Sequence, residues 1–389
     1  RARLTEQPRD GEVYRFELGG GHWIFGGNPI VLRYIGGLTP LRSYTRRSSV
    51  YFPARDLHVP YPLQNHLRVL GEAVASRALP EMAQPFRTVR TMEEWLLQSF
   101  GPTLCALFFT PFHRLYTAGL FGRISPQDAY KSPVDLGLAI RGALSETPAV
   151  GYNAGFAYPE GGLDTLTRRM AAACPVQYGK RVVRLDLGER VIAFADGSTE
   201  RYDRLLSTLP LDQTIVMAGL QLGVEPDPHT SVLVLNIGAR RGPRCPDVHW
   251  LYLAETVAGF HRVGFYDNVD TEFLPRSTRA RHDRASLYVE RAYPGGEKPD
   301  PGAIADYGEA VVRELQAWGF IDAVEVLDPT WIDVAYTWSW PGSTWTRVAT
   351  RALEAHGVYP VGRYGRWVFQ GIAESIHEGL AAGTALRGA

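Results

Sequence analysis

The run Gly362-Arg363-Tyr364-Gly365-Arg366-Trp367, leading through Gln370-Gly371-Ile372 into a helical pattern, holds the residue types that contact with an anion or a dinucleotide requires. Glycine lets backbone approach a ligand, unpaired N–H groups at a helix start attract anionic or electron-rich atoms, and the guanidinium of Arg363 can pair with a pyrophosphate. An αL cap followed by a surface helix uses the same residues, so both interpretations stand at this point. Near the other end, the alternating segment Val13–Phe25 becomes Gly19-Gly20-Gly21 before His22, the pattern of a strand running into a close backbone approach. Arg262, within His261-Arg262-Val263-Gly264, suits either a substrate cavity or a surface ion pair. Tyr336, Trp338 and Trp340 alternate along a strand-like segment, which fits a core stripe as well as an aromatic wall that stacks sugars or flat ligands.

The elements that must position these residues read as an α/β chain. From Leu63 to Ala143 the spacing is helical, with Leu67–Ala78, Met92–Phe100 and Thr103–Phe112 separated by Pro80, Pro85 and Gly101, which predicts an inserted helical subdomain. A helix over Thr165–Ala173 follows Gly161-Gly162-Leu163. Strands are predicted over Arg181–Leu187 and Val191–Phe194, with a turn at Asp196-Gly197, and Arg204–Leu209 reads as a buried strand stopped by Pro210. Ser231–Ile237, His249–Ala254, Phe260–Tyr266 and Ser286–Ala292 read as successive strands of a mixed or antiparallel sheet over a cavity, and Pro301–Trp318 as a helix. The chain closes with a strand at Val358–Val361, a turn at Gly362–Gly365 and a helix over Ile372–Ala385.

The 389 residues are 45% hydrophobic and 11% aromatic, enough for a large core and more than one typical domain. Lys plus Arg and Asp plus Glu number 41 each, so no net field draws the chain to nucleic acid or to an anionic membrane. Arginine far outnumbers lysine, which suits bidentate recognition of phosphates or carboxylates. Cys105, Cys174 and Cys245 form neither a disulfide framework nor a metal-ligand spacing, so no metal is expected and a reducing cytoplasm fits. The most apolar run, Leu104–Phe109, is far below the roughly 20 residues of a membrane span, and no secretory pattern is visible.

A collinear series of short motifs then raises the weight of the glycine segments. It comprises Gly20-Gly21-His22-Trp23-Ile24-Phe25, Arg47-Ser48-Ser49-Val50-Tyr51-Phe52, Tyr61-Pro62-Leu63, Phe100-Gly101 and Phe108-Phe109-Thr110-Pro111-Phe112. It continues with Tyr158-Pro159-Glu160-Gly161-Gly162-Leu163, Asp196-Gly197, Tyr202-Asp203, Ser207-Thr208-Leu209-Pro210, Arg262, Tyr336 and the Gly362 segment. Over nearly the whole chain this series resembles the UDP-galactopyranose mutases and the related protoporphyrinogen-oxidase-like flavoproteins of the amine oxidase superfamily.

The resemblance implies an FAD-binding Rossmann-like domain with an inserted helical subdomain and a mixed or antiparallel substrate-binding sheet. Such flavoproteins begin with a strand, a GxGxxG turn and a helix that holds the FAD pyrophosphate. No such motif occurs here, and Arg1-Ala2-Arg3-Leu4-Thr5 resemble residues just after it, so a first βαβ unit of about forty residues is expected upstream. The implied division is 1–62 and 151–215 to FAD binding, 63–150 to the helical insertion, 216–345 to the substrate sheet and helix, and 346–389 to a C-terminal FAD-binding segment.

The same resemblance implies roles for single residues. His22 is expected near the flavin ring with Gly20 and Gly21 beside it, Val183 at the adenine, and Thr208, Gly362, Arg363, Gly371 and Ile372 along the cofactor. His22, Arg262 and Tyr336 are the expected catalytic residues, and Arg47, Arg262, Tyr336, Trp340 and Phe369 the expected substrate contacts. Mutases carry a tyrosine where Phe369 stands and an acidic residue where Gly371 stands, so a mutase reaction loses a hydroxyl and a carboxylate here. The implied function is an FAD-dependent oxidoreductase acting on a small molecule such as a nucleotide-linked sugar. A UDP-sugar pyranose/furanose isomerase and a non-catalytic flavin-fold binding protein are the alternatives, each in the cytoplasm and of open oligomeric state.

Overall fold

A computed structural model describes residues 4–9, 12–127, 134–148, 150–151 and 153–387. Arg1, Ala2 and Arg3, part of the match at the chain start, lie outside the described residues, as do 128–133 and 149 of the expected helical insertion.

The central feature is a seven-stranded sheet in the order Ile321–Thr337, His229–Arg241, Arg284–Pro294, Arg262–Phe265, Trp250–Leu253, Ser48–Phe52, Leu57–Pro60. It is mixed, because Trp250–Leu253 and Ser48–Phe52 run parallel while the other neighbours are antiparallel. Side chains alternate between the faces of a strand. Leu233, Leu235 and Ile237 therefore pack with Val311 and Leu315 of the helix Pro301–Ala317, while Val232 and Val234 join Tyr14, Phe16 and Trp23 on the opposite face. Both faces are covered, which explains why these strands are nearly continuous in apolar residues.

Of the longest strand, Ile321–Thr337, only the end at Tyr336 is among the expectations above. Asp322, Glu325, Asp328 and above all Pro329 interrupt its apolar pattern. It is the edge strand of the sheet, where a proline need not donate to a neighbour.

The helical subdomain consists of Leu67–Leu70, Glu72–Met82, Met92–Leu104, Thr110–Tyr116 and Leu136–Leu144. The single helix expected over Leu67–Ala78 is divided at Gly71, whose φ is +94°, and Pro80 lies inside a helix instead of ending one. Met92 begins under a capping box: Thr91 accepts from the Glu94 N–H at 3.2 Å while the Glu94 carboxylate accepts from the Thr91 N–H. Gly101, with the non-helical φ of +73°, interrupts the helix Met92–Leu104, the break expected at that position.

Leu205–Ser207 and Val358–Pro360 form a parallel pair flanked by the helices Leu211–Met217 and Trp345–Glu354, and the last helix is Ile372–Arg387. The fold is mixed α/β. No described helix is long and apolar enough to cross a membrane.

Candidate functional site

A cavity of about 880 Å³ is lined by the large sheet, the helical subdomain and the C-terminal segment. It gathers residues distant in sequence: His22 after the glycine run, Phe112 and Tyr116 from one helix, Arg262 and Glu290 from adjacent strands, Tyr336 from the edge strand, and Gly362, Arg363, Phe369, Gly371 and Ile372. Thr208 also reaches its wall.

Sheet register sets the polar centre of this cavity. Arg262 and Glu290 are Cα partners on neighbouring antiparallel strands, so their side chains project to the same face. Arg262 Nη2 donates to Glu290 Oε2 and, at 2.9 Å, to the Tyr336 hydroxyl. Burial, the largest single influence, opposes the charge on Arg262, but the Glu290 carboxylate together with the oxygens of Tyr336, Tyr288 and Tyr252 outweighs it and holds the guanidinium well above its ordinary pKa. His261 Nε2 lies 3.7 Å from the same carboxylate, and burial, followed by the charge of Arg262, keeps the imidazole far below its usual value and therefore neutral. Burial pushes the Tyr336 phenol up to about 12, so it remains a protonated donor.

The glycine run packs against this centre. Gly20 has φ +90°, and a Cβ there would come 2.7 Å from Glu290 Oε1; a Cβ on Gly21 would stand 2.5 Å from the Tyr288 hydroxyl. The close backbone approach expected at this run is thus made to the protein's own Glu290 and Tyr288, and Gly20 does not line the cavity whereas Gly19 and Gly21 do. Next in sequence, His22 faces the cavity with Nδ1 buried and without a hydrogen-bond partner. Burial, reinforced by the charges of Arg363 and Arg262, lowers its pKa to about 4, so the ring is uncharged at neutral pH.

The C-terminal segment is fixed by backbone bonds. Val361 N donates to the Ser207 carbonyl at 2.9 Å, and Gly365 lies so close to that carbonyl that a Cβ would be 2.6 Å away. The turn expected at Gly362–Gly365 is a single helical turn, and the helix entered at Ile372 runs to Arg387. Arg363 donates to the carbonyls of Gln370 (3.3 Å) and Ala335 (3.1 Å), its Nε is buried without a partner, and its guanidinium stands 4.8 Å from the Phe369 ring centroid and 5.6 Å from that of Tyr336.

Three expected contacts lie elsewhere. Arg47 is at the surface, paired with Asp247 at 2.8 Å. Trp340 donates its indole N–H to the Pro226 carbonyl and stacks with Arg123. Val183 is 48% exposed on the strand Val182–Asp186. None of the three lines the cavity. Conversely, Glu290, His261, Tyr288 and the rings of Tyr116 and Tyr252 were not anticipated. For Glu290 a signal exists: it is the one acid in the otherwise apolar and buried stretch Leu287–Glu290, and a lone buried carboxylate needs a partner.

The family model for flavin-containing amine oxidoreductases matches residues 2–218, more than half of the chain. The chain belongs to that family. Its cofactor is accordingly FAD. Among solved structures, it is similar to a reduced UDP-galactopyranose mutase with a TM-score of 0.87 at 22% identity, covering 99% of this chain and 85% of that one. A protein of Exiguobacterium sp. 255-15 assigned as a protoporphyrinogen oxidase gives 0.71 at 13% identity, with 99% and 90% covered. A putrescine oxidase bound to putrescine gives 0.55 at 15% identity, with 100% and 91% covered. At such identities these likenesses establish the fold alone, and one fold can host different reactions.

Proposed function

We propose that the chain is an FAD-dependent oxidoreductase that takes two electrons from a small-molecule substrate held in the aromatic part of the cavity. The observation that carries this proposal is the continuity of one cavity from Gly362, Arg363 and His22 to the rings around Arg262 and Tyr336. Bound FAD supplies the electron acceptor.

The residues present fit that cofactor. Arg363 Nε and His22 Nδ1 are buried polar atoms without a protein partner, and the space in front of Gly362 is open where any other residue would place a Cβ. Gly362, Arg363, Thr208 and the start of the helix at Ile372 would hold it, and His22 would lie beside its ring. An uncharged His22 can give or accept a hydrogen bond at Nδ1 without adding charge. Arg262 orients the Tyr336 hydroxyl through their 2.9 Å bond, while Phe112, Tyr116 and Trp338 keep water from the reacting centre.

A second assignment, a UDP-sugar pyranose/furanose mutase, is favoured by two guanidiniums, Arg262 and Arg363, that both contact Tyr336. A nucleotide-linked sugar would then be the substrate. The reduced cysteines Cys105, Cys174 and Cys245 support a cytoplasmic site of action for either activity. Mixing the oxidised, flavin-loaded protein anaerobically with candidate substrates separates the two. Bleaching of the flavin supports the oxidoreductase; turnover of a sugar nucleotide only after dithionite reduction supports the mutase; the absence of both refutes an enzyme of either kind.

A further inference from the structure

We infer that Glu290 occupies, as a built-in counter-ion, the place on Arg262 that a ligand phosphate would take, so that the cavity admits uncharged ring substrates and discriminates against nucleoside diphosphates. The inference rests on the cavity being the substrate site proposed above, and it names the class of substrate.

Four observations lead to it. Register places Arg262 and Glu290 directly opposite one another, and Arg262 Nη2 already serves both Glu290 Oε2 and the Tyr336 hydroxyl. Glu290 is 3% exposed and enclosed: a Cβ on Gly20 would stand 2.7 Å from its Oε1, and His261 Nε2 lies 3.7 Å from its Oε2. A diphosphate that drew Arg262 to itself would leave that carboxylate buried and unpaired, which is among the most costly arrangements in a protein interior.

The remaining cations nearby are committed too. Arg363, on the segment assigned to the cofactor, is bonded to the carbonyls of Gln370 and Ala335. Arg46, behind Tyr61, is buried and directs its guanidinium to Asn153 and to the carbonyls of Tyr61 and Val150. Among the described lining residues, Arg262, Glu290 and Arg363 are the Arg, Lys, Asp and Glu side chains present; of the lining histidines, His22 and His261 are held neutral by burial and His113 is bonded through Nδ1 to the Phe109 carbonyl at 2.7 Å. What faces a ligand is therefore a set of rings: Tyr61, Phe112, Tyr116, Tyr252, Tyr336 and Trp338. Such a surface stacks flat or sugar rings and offers phenol hydroxyls as neutral hydrogen-bond partners.

The test compares UDP with uridine, which carries the same ring and no phosphate, by calorimetric titration of the flavin-loaded protein. Wild type is expected to bind UDP no more tightly than uridine. Glu290→Gln, which keeps the shape and frees the charge of Arg262, is expected to bind UDP roughly ten- to a hundred-fold more tightly than wild type, the range of a charged hydrogen bond. Arg262→Gln added to that variant is expected to abolish the gain. UDP binding wild type more tightly than uridine overturns the inference, as does a folded Glu290→Gln protein without the gain. Should the variant fail to fold, the wild-type comparison still decides. Because binding and not turnover is read, and flavin content is measured on the same samples, a chain that binds no flavin or oxidises nothing is recognised separately as a failure of the oxidoreductase assignment.

Discussion

Glu17→Gln gives the sharpest test of the electrostatics of the flavin-side core. Glu17 ends the strand Glu12–Glu17 and is completely buried. Tyr158 donates its hydroxyl to Glu17 Oε1, the Leu163 N–H reaches the same oxygen at 3.4 Å, and Oε2 has no partner. Burial raises the carboxyl to about 8 from an ordinary 4.5, against the lowering effect of the Tyr158 and Leu163 hydrogen bonds. A raised acid binds its proton more tightly folded than unfolded. Its contribution to stability is thus full below about pH 4.5 and is lost progressively as pH rises to about 8. At about 1.4 kcal/mol per pH unit, that window amounts to a ceiling of roughly 5 kcal/mol. Glutamine keeps an acceptor for Tyr158 and Leu163 and cannot ionise. The variant should therefore match wild type below about pH 4.5 and exceed it increasingly up to about pH 8, above which only the wild-type side chain bears a buried charge and the difference levels off. Thermal unfolding followed by near-ultraviolet circular dichroism across that range reads the difference. Parallel pH profiles for the two proteins, or a variant less stable at every pH, would refute the placement of a protonated Glu17 in the core.

Three further outcomes are expected. Arg363→Ala removes a charge-assisted contact and should weaken FAD retention roughly ten- to a hundred-fold; unchanged flavin absorbance per chain after dialysis would remove Arg363 from the cofactor site. His22→Ala should alter both the flavin spectrum and turnover, and a variant with both intact would make His22 a core residue only. Gly264→Ala should cost roughly 1–3 kcal/mol of stability, because the new methyl group collides with the Tyr288 ring across the sheet; a wild-type melting curve would contradict that packing.

Local chemistry made much of the architecture legible. Thr91 and Glu94 mark a helix start through their own side chains, and the apolar strands from His229 to Pro294 are covered on both faces. The edge strand was hidden because Pro329 and its acids break the pattern, and their tolerance depends on one side of the strand having no neighbour in the sheet, which is a property of the whole sheet. The family likeness led to His22, Arg262, Tyr336 and Arg363, all of which share one cavity, but not away from Arg47, Trp340 and Val183. Those three have satisfactory partners or exposure at the surface, and a motif match carries no information on which side of a strand faces the ligand.

Glycine spacing shows the same boundary between local and tertiary information. Gly19-Gly20-Gly21 announces that something comes close to the backbone, since only a missing Cβ allows it. What comes close is decided by register on a strand some 270 residues later, where Tyr288 and Glu290 meet Gly21 and Gly20 from the same face. The glycines therefore act on a ligand at one remove: they let a carboxylate sit beneath Arg262 and set the charge that the guanidinium can offer. An alanine at position 20 would press on Glu290 Oε1 and impose a left-handed conformation on an L residue, so the polar centre of the cavity depends on a backbone position that never touches the cavity itself.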